Sequence, residues 1–176
     1  GTWQFRRDER AVGERDGWFS PDARGEWGSI HVPGSWQAQG WGLDYHGTGW
    51  YRRTFRVPND WQDRRVRIRF EAVATRAKVW VNGRLAGEHT GNWSGFDMDV
   101  TDLVRRGKEN MLTVRVEELP GHTSAGFPLI VGMHFGGIWQ NVSLYGTGAA
   151  RLCDVAAFPD LSRKVVEIEA EVANEA

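Results

Sequence analysis

The stretch Arg65-Val66-Arg67-Ile68-Arg69-Phe70-Glu71-Ala72 alternates charged and apolar residues without interruption. Successive side chains of a β-strand point to opposite faces, so this pattern predicts a strand with one apolar face and one face in water. The same period recurs in residues 96–100, 112–116, 138–144 and 166–172. Asn82-Gly83 is the dipeptide favoured in tight hairpin turns, where both central residues need a positive φ. Short alternating strands with almost no helical pattern predict an all-β fold, a sandwich of two antiparallel sheets.

Composition excludes several classes of function. The chain has 176 residues, which suits one domain of ordinary size or one domain with a fragment of another. A formal net charge of −1 gives no general attraction for nucleic acid. No run of about 18 apolar residues is present to cross a membrane. The first residues do not resemble a signal peptide, and the compartment stays undetermined.

Cysteine and histidine usage gives no support for a metal or cofactor site. The single cysteine, Cys153, excludes an internal disulfide framework and a cysteine-based zinc site. Cys153 lies in a strand-like run, which favours a small buried residue over a reactive thiol. The five histidines show no ligand spacing, so we expect neither a metal nor a cofactor.

The organisation of the chain changes near residue 148. Residues 146–150 are small and featureless, as in a linker. Two strand-like runs follow, at 152–158 and 165–172, and two strands alone cannot bury a core. We expect residues 149–176 to be a linker and the truncated start of a second domain. The alternative is that these strands extend the edge of the first sandwich.

Several stretches, in order along the chain, resemble glycoside hydrolase family 2, which contains the β-galactosidases, β-glucuronidases and β-mannosidases. They are residues 1–5, 30–37, 49–55, 69–73 with 77–83, 88–91 and 136–144. The resemblance implies that residues 1–148 form the family's N-terminal sugar-binding domain, an antiparallel jelly-roll sandwich similar to galactose-binding domains. It also implies that residues 149–176 begin the immunoglobulin-like domain that comes second in those enzymes.

The resemblance implies chemistry that this chain cannot perform alone. Family 2 enzymes hydrolyse β-glycosides with retention, using two glutamates about 5–5.5 Å apart. The pair lies on a (β/α)₈ barrel of roughly 250 residues, for which this chain has no room. The expected partners are therefore a β-glycoside, bound through the parent enzyme, and the missing barrel. We expect no catalytic residue here, so the chain itself is not an enzyme, although its parent is expected to be one.

Two loops are candidates for the rim of the substrate cleft. They supply Asp44, Tyr45 and His46 from residues 41–49, and His134 from residues 121–135. Aromatic rings stack on the C–H face of a sugar, and polar groups pair with its hydroxyls. An aspartate in the family's second loop approaches the substrate, but Val131 stands at that place here. The competing interpretation is that these side chains pack the loops together or face solvent.

Three tryptophans, Trp36, Trp41 and Trp93, lie in predicted loops and are weaker candidates for ligand contact. Two alternatives to the parent-enzyme hypothesis stay open. One is a free-standing carbohydrate-binding module, and the other is a family member without catalytic glutamates that is kept for protein interactions. The sugar, the linkage and the oligomeric state are not determined by the sequence.

Overall fold

The computed structural model describes residues 1–118 and 135–174. Two short 3-10 helices, Gln37–Gln39 and Asn59–Trp61, lie between strands. The strands are β1 Thr2–Arg7, β2 Gly28–His31, β3 Thr48–Arg56, β4 Arg65–Phe70, β5 Val73–Ala74, β6 Arg76–Val81, β7 Arg84–Thr90, β8 Phe96–Asp99, β9 Glu109–Glu117, β10 Gly137–Ile138, β11 Val142–Thr147, β12 Ala150–Asp160 and β13 Val165–Asn174. All pairings between these strands are antiparallel.

Two sheets pack face to face around one apolar core. The larger sheet has six strands in the order β2-β1-β3-β9-β6-β7, and the smaller has three in the order β11-β4-β8. Phe5, Tyr51 and Val114 of the larger sheet belong to the same buried cluster as Val66 and Phe70 of the smaller one. The short pair β5–β10 forms a separate two-stranded sheet. The predicted antiparallel β-sandwich is confirmed.

Strand β4 follows the predicted alternation with one exception. Val66, Ile68 and Phe70 are buried and Arg69 is exposed, as expected. Arg67 is buried as well, and its guanidinium lies 3.1 Å from the carboxylate of Asp99 in the neighbouring strand β8. A charged group can be buried on this face because its partner is supplied by the adjacent strand.

Glycine occupies one tight turn and two closely packed backbone positions. Asn82 and Gly83 have φ values of 53° and 81° and form the two-residue turn between β6 and β7. Gly137 has a φ of 125°, and a Cβ on it would lie 2.7 Å from the Tyr51 hydroxyl. A Cβ on Gly136 would lie 2.0 Å from the Trp36 ring. Close packing therefore requires glycine both at Gly136, just before β10, and at Gly137, its first residue.

Residues 8–27, which we name the strap, cover the outer face of the six-stranded sheet. Trp18 of the strap packs with Trp50 and Trp80 of the sheet in a second buried cluster. Arg52, also on the outer face, donates hydrogen bonds to the carbonyl oxygens of Trp18, Ser20 and Ala23 in the strap. Glu14 forms ion pairs with Lys78 and Arg115. The central strands β3, β6 and β9 of the larger sheet are thus covered on both faces, whereas the edge strand β7 stays largely exposed.

Strands β12 and β13 form a two-stranded sheet of their own, and their side chains are mostly exposed. Their register places Ile168 opposite Ala157 and Val172 opposite Leu152, so these four residues share one apolar face. Cys153 is exposed, so the expectation that it is buried is wrong. No layer packs over this hairpin among the residues described, and a strand position without a covering layer stays in solvent.

Candidate functional site

The first candidate loop connects the 3-10 helix Gln37–Gln39 to β3 and presents its three predicted side chains differently. Asp44 is exposed, and no hydrogen bond or ion pair engages it within residues 1–118 and 135–174. Tyr45 is half-buried. The His46 side chain keeps 38% of its surface exposed while its ring contacts a buried carboxylate. Asp44 and His46 are therefore accessible to a ligand.

Tyr45 holds the loop in place. Its hydroxyl donates a hydrogen bond of 2.8 Å to the carbonyl oxygen of Thr48. Its ring lies 6.0 Å from the Trp36 ring, centroid to centroid, and the Arg7 guanidinium lies 5.1 Å from its centroid. Burial raises the pKa of the Tyr45 phenol, which therefore stays protonated at neutral pH. Both its hydroxyl and its ring have partners within the protein.

Glu118 is the buried polar centre of this region. Its side chain is 6% exposed, at the point where the chain leaves strand β9. One carboxylate oxygen, Oε2, accepts a 3.0 Å hydrogen bond from Gln37 Nε2. The other, Oε1, lies 3.1 Å from His46 Nδ1. The backbone N–H of Glu118 donates to the carbonyl oxygen of Gly47 at 2.8 Å, so both its side chain and its backbone hold the first loop.

Gln37 extends this network to the return of the chain at β10. Its Nε2 also donates to the Tyr45 carbonyl oxygen at 3.2 Å, and its Oε1 accepts from the Gly136 N–H at 2.9 Å. The indole N–H of Trp36 donates to the same Tyr45 carbonyl at 3.2 Å. Residues 118 and 136 bracket the second candidate loop. One buried amide and one buried carboxylate therefore join the first loop to both ends of the second.

The arrangement suits binding through hydrogen bonds. It places the His46 imidazole against the Glu118 carboxylate, and the exposed Asp44 lies two residues before His46 on the same loop. Carboxylates accept hydrogen bonds and imidazole can donate or accept them, so such groups pair with the hydroxyls of a polar ligand. The residues described contain no group of three histidine, cysteine, aspartate or glutamate side chains placed to hold a metal ion. They also contain no helix long and apolar enough to span a bilayer.

The structure and the sequence agree only partly about this site. Asp44, Tyr45 and His46 lie together on the first loop. His134, like Val131, lies outside the described residues. Sequence reasoning did not select Gln37 or Glu118, although the network depends on them. Gln37 lies in a stretch that resembles the family, which was a usable signal, whereas Glu118 at a strand end had none.

Comparison with known proteins identifies the family. Residues 1–148 match the family described as glycosyl hydrolases family 2, sugar binding domain. A β-galactosidase of Thermoanaerobacter pseudethanolicus is 37% identical over 134 residues, which are 71% of this chain and 17% of that protein. A β-glucuronidase of Bacteroides fragilis is 32% identical over 131 residues, which are 72% of this chain and 19% of that protein.

A solved structure shows the same fold. The chain aligns with a Ruminococcus gnavus β-glucuronidase at a TM-score of 0.84 and 20% identity, over 98% of this chain and 32% of that one. The chain spans about a fifth of the length of the two relatives above and about a third of this structure. Residues 1–148 are a sugar-binding domain of this kind, and the chain belongs to glycosyl hydrolases family 2.

Proposed function

We propose that this chain is the non-catalytic N-terminal part of a retaining β-glycosidase, in which it supports the barrel and lends the first loop to the substrate cleft. The match over residues 1–148 and the relatives named as β-galactosidase and β-glucuronidase support this proposal. The observation that carries it is the Gln37–Glu118 network. It holds the partly exposed His46 against a buried carboxylate, two residues after the exposed Asp44, and this supports a role for the first loop at the cleft rim.

The proposal assigns residues 1–148 to a jelly-roll domain and residues 149–176 to a linker and the first strands of an immunoglobulin-like domain. The strand orders of the two large sheets are consistent with a jelly roll. The hairpin β12–β13 supports the second assignment, because its apolar face is exposed and two strands alone bury little. Further strands of an immunoglobulin-like domain would cover that face.

The side chains proposed to meet the sugar are Asp44 and His46, while Tyr45 positions the loop and Glu118 orients the imidazole. His134 is proposed as a contact from the second loop. A carboxylate and an imidazole pair with sugar hydroxyls. A buried carboxylate behind the imidazole fixes the orientation of the ring. Each hydrogen bond to a hydroxyl contributes about 0.5–1.5 kcal/mol to binding.

Two measurements test the proposal. The purified chain should not hydrolyse 4-nitrophenyl β-galactoside or β-glucuronide, because no catalytic pair is expected in it; turnover that survives purification contradicts this. The coding region should continue into a barrel that carries two glutamates.

In the enzyme encoded by that region, His46→Gln should raise KM about threefold to tenfold. The matched variant His31→Gln, at an exposed histidine on β2, should leave KM unchanged. An unchanged KM for His46→Gln would contradict the proposal that the first loop contacts the substrate. Strong binding of a free monosaccharide by the chain alone would instead favour a free-standing carbohydrate-binding module.

A further inference from the structure

Trp93, in the loop between β7 and β8, is the most exposed of the ten tryptophans. Its relative exposure is 57%, whereas the other nine are buried or half-buried. An indole left in water is unfavourable because the ring is large and mostly apolar. The exposure of Trp93 therefore calls for a functional explanation.

Two further rings hold the Trp93 indole at a fixed angle. Trp139 lies 4.8 Å from it between centroids at an interplanar angle of 77°, and Phe135 lies 5.8 Å away at 71°. Phe135 and Trp139 also meet each other edge to face, at 5.5 Å. The Trp139 N–H donates a 3.0 Å hydrogen bond to the Asn92 carbonyl oxygen, which ties this group to the β7–β8 loop. We name these three rings the aromatic platform.

Two polar pairs lie near the platform residues along the chain. In the first pair, Ser94 Oγ lies 3.3 Å from His89 Nε2, and the His89 ring stacks on Phe96 at 4.1 Å. Burial lowers the pKa of the His89 imidazole, so the neutral ring can both donate and accept at pH 7. In the second pair, the exposed Asn141 donates a 3.0 Å hydrogen bond to the exposed Glu71 carboxylate.

The backbone at Glu71 lies close to the loop that carries Trp93. A Cβ built on Gly95, two residues after Trp93, would lie 3.3 Å from the Glu71 carbonyl oxygen. Asn141 follows Trp139 by two residues. The surface therefore combines a rigid aromatic face with hydroxyl, imidazole, amide and carboxylate groups around it.

We propose that the aromatic platform is a carbohydrate-binding subsite, on which Trp93 stacks against the C–H face of a β-linked pyranose. A pyranose whose substituents are mainly equatorial offers a flat C–H face for an aromatic ring and a rim of hydroxyls for polar groups. The platform has both features, with the ring in the centre and His89, Ser94, Glu71 and Asn141 at its edge. A protein partner would instead be expected to meet a larger apolar patch with fewer polar groups.

The platform is linked along the chain to the Gln37–Glu118 network and extends the proposed function, on which it rests. Phe135 of the platform is followed directly by Gly136, whose N–H donates to Gln37 Oε1. We therefore expect the platform to bind one ring of a glycan that has at least two sugar rings. The platform would add affinity for a second sugar ring without taking part in bond cleavage.

The test uses the ¹⁵N-labelled 176-residue chain and the indole N–H signals in its NMR spectrum. The Trp93 signal is identified as the one missing from the Trp93→Phe variant. The probes are methyl β-D-glucopyranoside, methyl β-D-galactopyranoside and the corresponding β-linked disaccharides. We expect at least one probe to shift the Trp93 signal with a Kd of about 1 mM, an ordinary affinity for a ligand of this size.

Variants then separate this subsite from the first loop. Trp93→Ala should weaken binding about tenfold, and Trp93→Phe should weaken it less because a ring remains. Leu85→Ala is the matched control: Leu85 is half exposed at the far end of β7, and its loss should change nothing. A thermal melt of each variant checks that the fold is intact.

Every outcome bears on the proposal. If His46→Gln abolishes binding and Trp93→Ala does not, the aromatic platform is not the sugar-binding subsite, and the proposed function is unaffected. The reverse result supports the platform and contradicts the role of His46. If no probe shifts the Trp93 signal, or if Trp93→Ala reduces only self-association in sedimentation, the platform is a protein contact and the proposal is overturned.

Discussion

The outer face of the six-stranded sheet and the apolar face of the β12–β13 hairpin both carry large side chains, but only the first is covered. Trp50 and Trp80 lie beneath the strap and are 0% and 4% exposed. Ile168 and Val172 on the hairpin are 68% and 60% exposed. Strand β13 alternates apolar and charged residues from Val166 to Val172, yet its apolar side chains remain in water.

The difference shows that alternation of apolar and polar residues identifies the apolar face of a strand but does not identify the element that covers this face. The strap reaches its position through polar anchors. Asp8 accepts hydrogen bonds from the Val12 and Gly13 N–H groups and from the Trp50 indole, and Arg52 donates to three strap carbonyls. The hairpin has no equivalent anchor among the residues described. Coverage of a sheet face therefore depends on hydrogen-bond partners as well as on apolar area.

The largest expected effect comes from emptying the centre of the covered face. Trp50→Ala should lower the free energy of unfolding by about 3–5 kcal/mol, because it leaves a cavity between sheet and strap. The indole also donates to Asp8, and that carboxylate would lose a partner. Urea unfolding followed by circular dichroism measures the change. Phe158→Ala on the exposed hairpin is the matched aromatic control, and a cost equal to that of Trp50→Ala would refute the contrast.

A second experiment removes the polar anchor and keeps most of the side-chain volume. Arg52→Met should cost about 2–3 kcal/mol, because the buried carbonyl oxygens of Trp18, Ser20 and Ala23 lose their donor. Urea unfolding measures the loss of stability, and limited proteolysis measures whether the strap becomes accessible to protease. Arg53→Met, at the exposed neighbour of Arg52, should leave both readouts unchanged. A strap that stays protected in Arg52→Met would show that its aromatic contacts suffice.

A third experiment compares a carboxyl group of the sandwich, Asp99 on β8, with one of the hairpin, Asp160, in acid. Burial raises the pKa of Asp99, but hydrogen bonds from Thr101 and Arg65 and the charge of Arg67 outweigh it, and the net pKa is lowered. Hydrogen bonds from Ser162 and Arg163 in the exposed hairpin turn lower the pKa of Asp160. A depressed native pKa stabilises the fold above the unfolded value of about 3.9, and this stability is lost as the pH falls through the native pKa.

Asp99→Asn should therefore lower stability at pH 7 and flatten its decline below about pH 4. Asp160→Asn should leave global unfolding unchanged, since only the hairpin turn depends on it. Chemical denaturation at a series of pH values distinguishes the two. Equal effects of both substitutions would mean that hairpin and sandwich unfold as one unit.

The smallest effect on stability is expected on the uncovered face itself. Ile168→Thr keeps a β-branched residue in the strand and should change the free energy of unfolding by less than about 0.5 kcal/mol. It should reduce self-association, because an exposed apolar strand surface is an association site. Sedimentation velocity at several concentrations measures this. Glu169→Thr on the opposite face is the control, and equal association of wild type and Ile168→Thr would contradict the prediction.

Much of the fold could be predicted from local pattern, and less of the site. Period-two alternation located β4, β8 and β9, and Asn82-Gly83 located a turn, because these signals depend only on neighbouring residues. The pattern wrongly favoured burial of Cys153, since burial depends on a layer that the strand does not encode. Glu118 was missed for the same reason. Its partners Gln37 and His46 are 81 and 72 residues away along the chain.

The sequence by itself determined the strands, the hairpin turn and the family, since each is encoded in contiguous residues. Only the tertiary structure decided which faces are covered, which tryptophan is exposed, and that one buried carboxylate joins the two loops. The physical reason is that a strand's pattern fixes where side chains point. What they meet there depends on segments brought together from distant parts of the chain.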